Sequence, residues 1–218
     1  MLITTKSKNK HLLYEAIEAQ SMNDSQIEEI GKKLVDGLNK YGGIGISSNQ
    51  IGEDYRACLI NFIISLEDAE ASIQNKPLLL INPTIIGASE DVVIYMESCL
   101  SIPKTIRRPI KTVRHTGVSV KTDNLGDITF KSHKDKWESS QDFFNDLGLL
   151  EAVVVQHEID HLDGILITSP QRRYNQTAAV KNKFGRNDKV MVESPDGETK
   201  FVKYKVALQL ENQGYKII

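Results

Sequence analysis

The segment LLEAVVVQHEIDHLDG, residues 149–164, restricts this chain more than any other stretch of its 218 residues. Its first half is almost wholly apolar, with Leu149, Leu150, Ala152, Val153, Val154 and Val155. A helix that is hydrophobic all round has to be buried. Its second half carries His157-Glu158-Ile159-Asp160-His161, and residues four apart share one helical face. Burying two histidines and two carboxylates is costly unless they are paired or bind an ion. The pattern predicts a helix from Leu147 to about Leu162, the least exposed element of the chain, with His157 and His161 gripping one metal. The bland alternative is a surface helix with two unrelated histidines, and the apolar half speaks against it.

Two histidines rarely complete a site. An endopeptidase of the zincin type would take its third ligand downstream, from a His or Glu. No histidine follows His161, Asp163 is too close for good geometry, and the next acidic residue is Asp188. His11, His115 and His133 stand in no zinc spacing with the helix. The better candidate is Cys99, in MESCLSIP, because a thiolate is a strong ligand for a divalent ion. Glu97, Ser98 and Ser101 make that stretch too polar for a plain core strand. The other cysteine, Cys58 in ACLINFII, reads as a small buried hydrophobe.

The rest of the chain supplies a scaffold. Apolar residues make up 40 % of the sequence and charged residues 26 %, an ordinary soluble composition. A net charge of −2 gives no case for sequence-specific nucleic-acid binding. The N-terminus has no apolar signal-peptide core, no run is long enough to span a bilayer, and two cysteines cannot build a disulfide framework, so a cytoplasmic setting is expected. Ile27, Ile30, Leu34, Val35 and Leu38 form a helical stripe, with Asp24 or Ser25 as its cap and Tyr41-Gly42-Gly43 as its end. GGIGISSNQIG reads as a glycine-rich turn. ACLINFII, LLLINPTIIG and VVIYMESCLSIP read as strands, and residues 65–77 as a loop. A hairpin is expected about Asp123-Asn124-Leu125-Gly126. The fold class is α+β, with antiparallel or mixed sheets wrapped around a buried metal-binding helix.

Residues 1–170 are the expected catalytic domain, 171–185 a connector, and 186–218 a small appendage. In the appendage, Pro195-Asp196-Gly197 marks a hairpin, VALQLENQG a short helix ended by Gly214, and YKII a last strand. Ten Lys/Arg against five Asp/Glu from residue 171 onward give +5, so the remainder carries −7.

With these residues assembled, the sequence resembles the peptide deformylases. Three motifs carry the likeness: Gly43-Ile44-Gly45-Ile46-Ser47-Ser48-Asn49-Gln50, Glu97-Ser98-Cys99-Leu100-Ser101, and Gln156-His157-Glu158-Ile159-Asp160-His161-Leu162-Asp163-Gly164. LLLINPTII and the Arg108-Pro109 pair extend it, from about residue 10 to about 170. Ser47-Ser48 stand where the resembled motif has Ala-Ala, and Ser98 where it has Gly. The loop after Pro103 is shorter, residues 131–145 look inserted, and the tail aligns only in its first residues.

The resemblance implies removal of the N-formyl group from formylmethionyl peptides in N-terminal processing of new proteins. A formamide is a stable amide, so its hydrolysis needs an activated water, charge stabilisation on oxygen and a proton for the leaving amine. Cys99, His157 and His161 would hold the ion and Glu158 would move the proton. The resemblance further implies Fe2+ as that ion, with Zn2+, Ni2+ or Co2+ as substitutes, and oxyanion stabilisation by the Gln50 amide and the Leu100 N–H. Gly43 and Gly45 would let the backbone approach an extended peptide, although a tight turn would also use them. Ile44, Leu150, Val153 and Val154 are candidate walls of a methionine pocket, with core packing as the alternative. Asp160 and Arg108 are expected as either a pair that orients the metal helix or a solvated salt bridge. The zincin-type endopeptidase and a catalytically silent peptide- or metal-binding relative are the competing functions. For the tail, attraction to ribosomal RNA competes with packing on the acidic domain.

Overall fold

The computed structural model describes residues 1–61, 77–103, 108–134, 136–140, 143, 145–172, 189–210, 213 and 215–217. Nearly all of the expected 65–77 loop, most of the 171–185 connector and Gly214 lie outside them. The chain divides into two compact units, Met1–Arg173 and Tyr174–Ile218.

In the first unit, helix α1 (Asp24–Tyr41) buries Ile30, Leu34 and Leu38. Val35 lies off that stripe, 36 % exposed. Its cap is Asn23 rather than Asp24 or Ser25. The Asn23 side chain accepts from the Gln26 N–H and the Gln26 side chain accepts from the Asn23 N–H, each at 3.0 Å. That reciprocal pair satisfies two N–H groups, which a cap one residue later could not do with Gln26. The glycine-rich stretch is not simply a turn: strand β1 (Gly45–Ser47) runs directly into the helical turn α2 (Ser48–Ile51).

Strands β2 (Ala57–Ile60) and β3 (Leu78–Ile81) complete a sheet of order β1-β2-β3. Side chains alternate across a strand, and here both faces are buried. Cys58, Ile60, Leu78 and Leu80 join the core built on helix α3 (Leu147–Leu162), together with Val155 and Ile159. Ala57, Leu59 and Ile81 join the core built on Ile30 and Leu34 of α1. The sheet is thus a partition between the two helices. A second sheet has the order β4-β7-β8, from β4 (Thr84–Ala88), β7 (Gly117–Thr122) and β8 (Gly126–Lys131); β7 and β8 form the expected hairpin. β5 (Val92–Glu97) pairs with β6 (Ile110–His115). Every pairing among these strands is antiparallel.

Helix α3 starts at an Asp146 cap whose side chain accepts from the Leu149 N–H at 3.0 Å. From Leu149 to Leu162 its residues are buried except Leu150 and His157, which are partly exposed. It is not the least exposed element, because β1 and β2 are buried at every residue; strands that fill the partition between two helices have no free face. The second unit pairs β9 (Lys189–Glu193) with β10 (Thr199–Lys203) and β11 (Lys216–Ile217) in the order β10-β9-β11, and adds helix α4 (Tyr204–Leu210). Gly197 turns the β9–β10 hairpin at φ +86°.

Candidate active site

Cys99 follows the end of β5 and is 2 % exposed. His157 and His161 lie one turn apart on α3, their rings edge to face with centroids 4.9 Å apart. Cys99 Sγ is 3.2 Å from His161 Nε2, and one ligand atom from each of the three residues lies within 4.8 Å of the others. A tetrahedral ion at about 2.3 Å from sulfur and about 2.1 Å from nitrogen separates such atoms by about 3.6 Å. The three donors therefore fit one ion, and their thiolate and imidazole chemistry suits a divalent transition metal. Burial pushes the Cys99 thiol up, yet His161 and His157 beside it outweigh burial and hold it well below its ordinary value.

A buried charge network fixes the imidazoles. His157 Nδ1 is 2.6 Å from Glu97 Oε2, which leaves Nε2 for a metal. Arg114 donates through Nε to Glu97 Oε1 at 2.6 Å and through Nη1 to Asp160 Oδ2 at 2.5 Å, and Thr112 also donates to Glu97. Arg172 adds a forked pair to Asp160 at 2.7 and 2.6 Å. Burial opposes the ionised form of Glu97, but His157 and Arg114 hold its carboxyl far below the usual range. Arg108 is not the partner of Asp160. It is exposed outside the network, and Arg114 on β6 holds the position instead. The inward-facing positions of β6 are Thr112 and Arg114, both fully buried, so strand alternation was the signal that could have singled Arg114 out.

Glu158 is buried beside the donors, and burial, with the Cys99 charge adding to it, raises its carboxyl above the usual value despite His157, His161 and Ser47. Gln50 lies with its Nε2 3.2 Å from His161 Nε2 and 3.0 Å from Ser101 Oγ. A cavity of about 410 Å³ is lined by Gly43, Ile44 and Gly45 from β1 and its approach and by Leu150, Val153, Val154, His157 and Glu158 from α3. Gln50, Cys99 and Leu100 also line it. The cavity thus gathers the expected pocket residues together with Glu158. Gly45 has a second reason to lack a side chain, since a Cβ there would stand 2.6 Å from Glu158 Oε1. Gly43 adopts φ +111°, a conformation that favours glycine.

The family profile described as Polypeptide deformylase matches residues 2–176. The chain belongs to that family. It is 30 % identical to a peptide deformylase of Bradyrhizobium diazoefficiens over 83 % of this chain and 91 % of that one. It is 32 % identical to the enzyme of Thermosynechococcus vestitus, covering 71 % of each chain. Among solved structures, the peptide deformylase of Thermotoga maritima superposes with a TM-score of 0.59 at 20 % identity, covering 80 % of this chain and 97 % of that one. A probable peptide deformylase from synechococcus phage S-SSM7 gives 0.58 at 23 % identity over 76 % and 95 %. These two likenesses speak to the fold, which is that of the deformylases. As a deformylase the chain is a hydrolase of a metal-dependent family, with a Cys/His/His site to match. Sequence reading missed Glu97, Ser101, Thr112, Arg114 and Arg172 as parts of this site. Their partners at the site, His157, Asp160, Glu97 and Gln50, lie 12 to 60 positions away, and no local pattern displays which residue pairs with which. No helix among the described residues is long and apolar enough to cross a membrane.

Proposed function

We propose that this deformylase removes the formyl group from the N-terminal formylmethionine of new polypeptides in the cytoplasm, with one divalent ion held by Cys99, His157 and His161. Fe2+ is the proposed ion, and Zn2+, Ni2+ or Co2+ can fill the same donor set. When bound, such an ion supplies an acidified water and polarises the formyl oxygen. Glu158 takes the proton of the attacking water and passes it to the departing amine. A carboxyl raised by burial is closer to the range in which a group can both accept and return a proton. Gln50, its amide beside His161, and the Leu100 N–H stabilise the charge that develops on the formyl oxygen. Glu97, Arg114 and Asp160 keep the helix and the imidazoles in place.

Ile44, Leu150, Val153 and Val154 offer the unbranched methionine side chain an apolar slot, and the Gly43–Gly45 backbone lies open to the following residues of an extended peptide. The observation that carries the reading is the meeting of Cys99 Sγ with both imidazoles, with Cys99, His157 and Glu158 lining a cavity of about 410 Å³. A third donor that is an upstream cysteine argues against the zincin-type endopeptidase. Formate release from formyl-Met-Ala-Ser, set beside cleavage of an unblocked peptide, tests the assignment. Internal cleavage without formate release would sink it, and retained metal with no turnover would favour a silent relative. A ribosomal contact through the basic tail is a separate proposal, motivated by its +5 charge and the affinity of Lys and Arg for phosphate. Ribosome co-sedimentation that persists unchanged after deletion of the tail would remove it.

A further inference from the structure

Strand β1 grips the side chain of Glu158 from two directions. On one side Gly45 leaves no room for any side chain: a Cβ there would stand 2.6 Å from Oε1, 2.9 Å from Cγ and 3.0 Å from Cδ of Glu158. On the other, Ser47, fully buried, places its hydroxyl 3.0 Å from the Glu158 backbone carbonyl and in hydrogen-bond contact with Glu158 Oε2. The other two serines of the motifs do something else. Ser48 donates to the Tyr55 carbonyl, and Ser98 lines the cavity.

We propose that Ser47 is a positioning residue that holds the Glu158 carboxyl in one place against strand β1. This rests on Glu158 being the proton carrier of the reaction. A hydroxyl has one proton and two lone pairs. The Ser47 O–H donates to Glu158 Oε2. That contact engages one carboxyl oxygen and leaves Oε1 for the proton that Glu158 exchanges, so it need not break when the proton is taken up, and the Glu158 carbonyl 3.0 Å from Oγ anchors the same hydroxyl. The serine proton never leaves the serine, and no bond between heavy atoms changes. Alanine, which the resembled motif carries here, has no group for this contact, so the device belongs to this sequence in particular.

The test uses full-length, metal-loaded protein. Ser47→Ala is expected to keep its metal, leave KM for formyl-Met-Ala-Ser unchanged, and lower kcat about tenfold, in line with the loss of one hydrogen bond to a charged group. Ser47→Thr restores most of that loss. In a Glu158→Ala background the same Ser47→Ala change has no further effect, because residues acting through one group are not additive. An unchanged kcat, or a full additional loss in the Glu158→Ala background, overturns the proposal. The carboxyl carbon resonance of Glu158, identified by its disappearance in Glu158→Gln, gives a readout independent of turnover. It moves in Ser47→Ala if the contact exists, and a resonance that stays put defeats the proposal even in an active enzyme. A parent protein that releases no formate defeats the functional assignment instead.

Discussion

Cys58 and Cys99 are equally hidden from solvent, at 0 % and 2 % exposure, and both are free thiols. Their surroundings drive them in opposite directions. Cys58 sits among Ile60, Leu80, Val155 and Ile159, where burial pushes its thiol well above its ordinary value and the nearby Glu158 charge adds to the effect. Cys99 meets the same desolvation, but two imidazoles converge on it and pull its thiol down. Burial alone therefore says nothing about whether a cysteine is a ligand; the groups within hydrogen-bond reach decide. The contrast divides helix α3 as well. Ala152, Val155, Ile159 and Leu162 belong to the apolar core, while His157 and Asp160 face charged partners.

The sharpest way to break this contrast is to remove each sulfur in turn. Cys99→Ala should lose its metal and nearly all formate release, measured by metal analysis and a deformylation assay on the same sample. If it kept both, the third donor would be elsewhere. Next in size is Arg114→Ala, which strips Glu97 and Asp160 of a fully buried partner. Breaking a buried pair on one side costs about 3–5 kcal/mol, so chemical denaturation should show a loss of that order, together with weaker metal binding. A loss under about 1 kcal/mol would mean that Arg172 and Thr112 carry the network without it.

A smaller effect is expected at the other end of the helix. Asp146 accepts from Leu149 N–H, Ser132 Oγ and Trp137 Nε1 at 3.0, 2.6 and 2.9 Å. Burial opposes its charge, but these donors, Ser132 first, hold its carboxyl below the usual value. A carboxyl depressed in the folded state adds stability above its unfolded pKa of about 3.9 and loses it as pH falls through the folded value. Asp146→Ala should therefore cost about 1–2 kcal/mol near neutral pH. The gap from the parent should narrow as pH falls below about 4, and a gap independent of pH would contradict the account. Smallest of all, Cys58→Ala should cost about 1 kcal/mol of stability through the space it leaves, with metal content and turnover unchanged. Loss of metal in Cys58→Ala would erase the distinction between the two cysteines.

Much of the site is legible in the sequence alone. The apolar run ahead of His157, the four-residue spacing to His161 and the polar setting of Cys99 locate the donors, because each is a local pattern with one physical reading. The hairpin about residues 123–126 is equally local. What escapes is pairing across the chain. Nothing near Asp160 indicates which of several arginines will reach it, and Arg114, 46 positions away, does so only because β6 lies beside α3. Asn23, Asp24 and Ser25 are all competent caps, and only the position of Gln26 selects the first. The short strand β1 is hidden by the glycines around it, although its Gly45 and Ser47 enclose Glu158.

The central claim is that Cys99, His157 and His161 hold an ion at which Glu158 moves the proton of formyl hydrolysis. Metal content and formate release from formyl-Met-Ala-Ser, measured together on anaerobically purified parent and Glu158→Ala proteins, test it most directly. Both proteins should carry about one ion per chain, since the donors are untouched. The parent should release formate, and the variant should be slower by about 10²–10⁴-fold, the usual contribution of a positioned acid–base group. A Glu158→Ala protein that turns over like the parent, or a parent that binds no metal and releases no formate, would contradict the account.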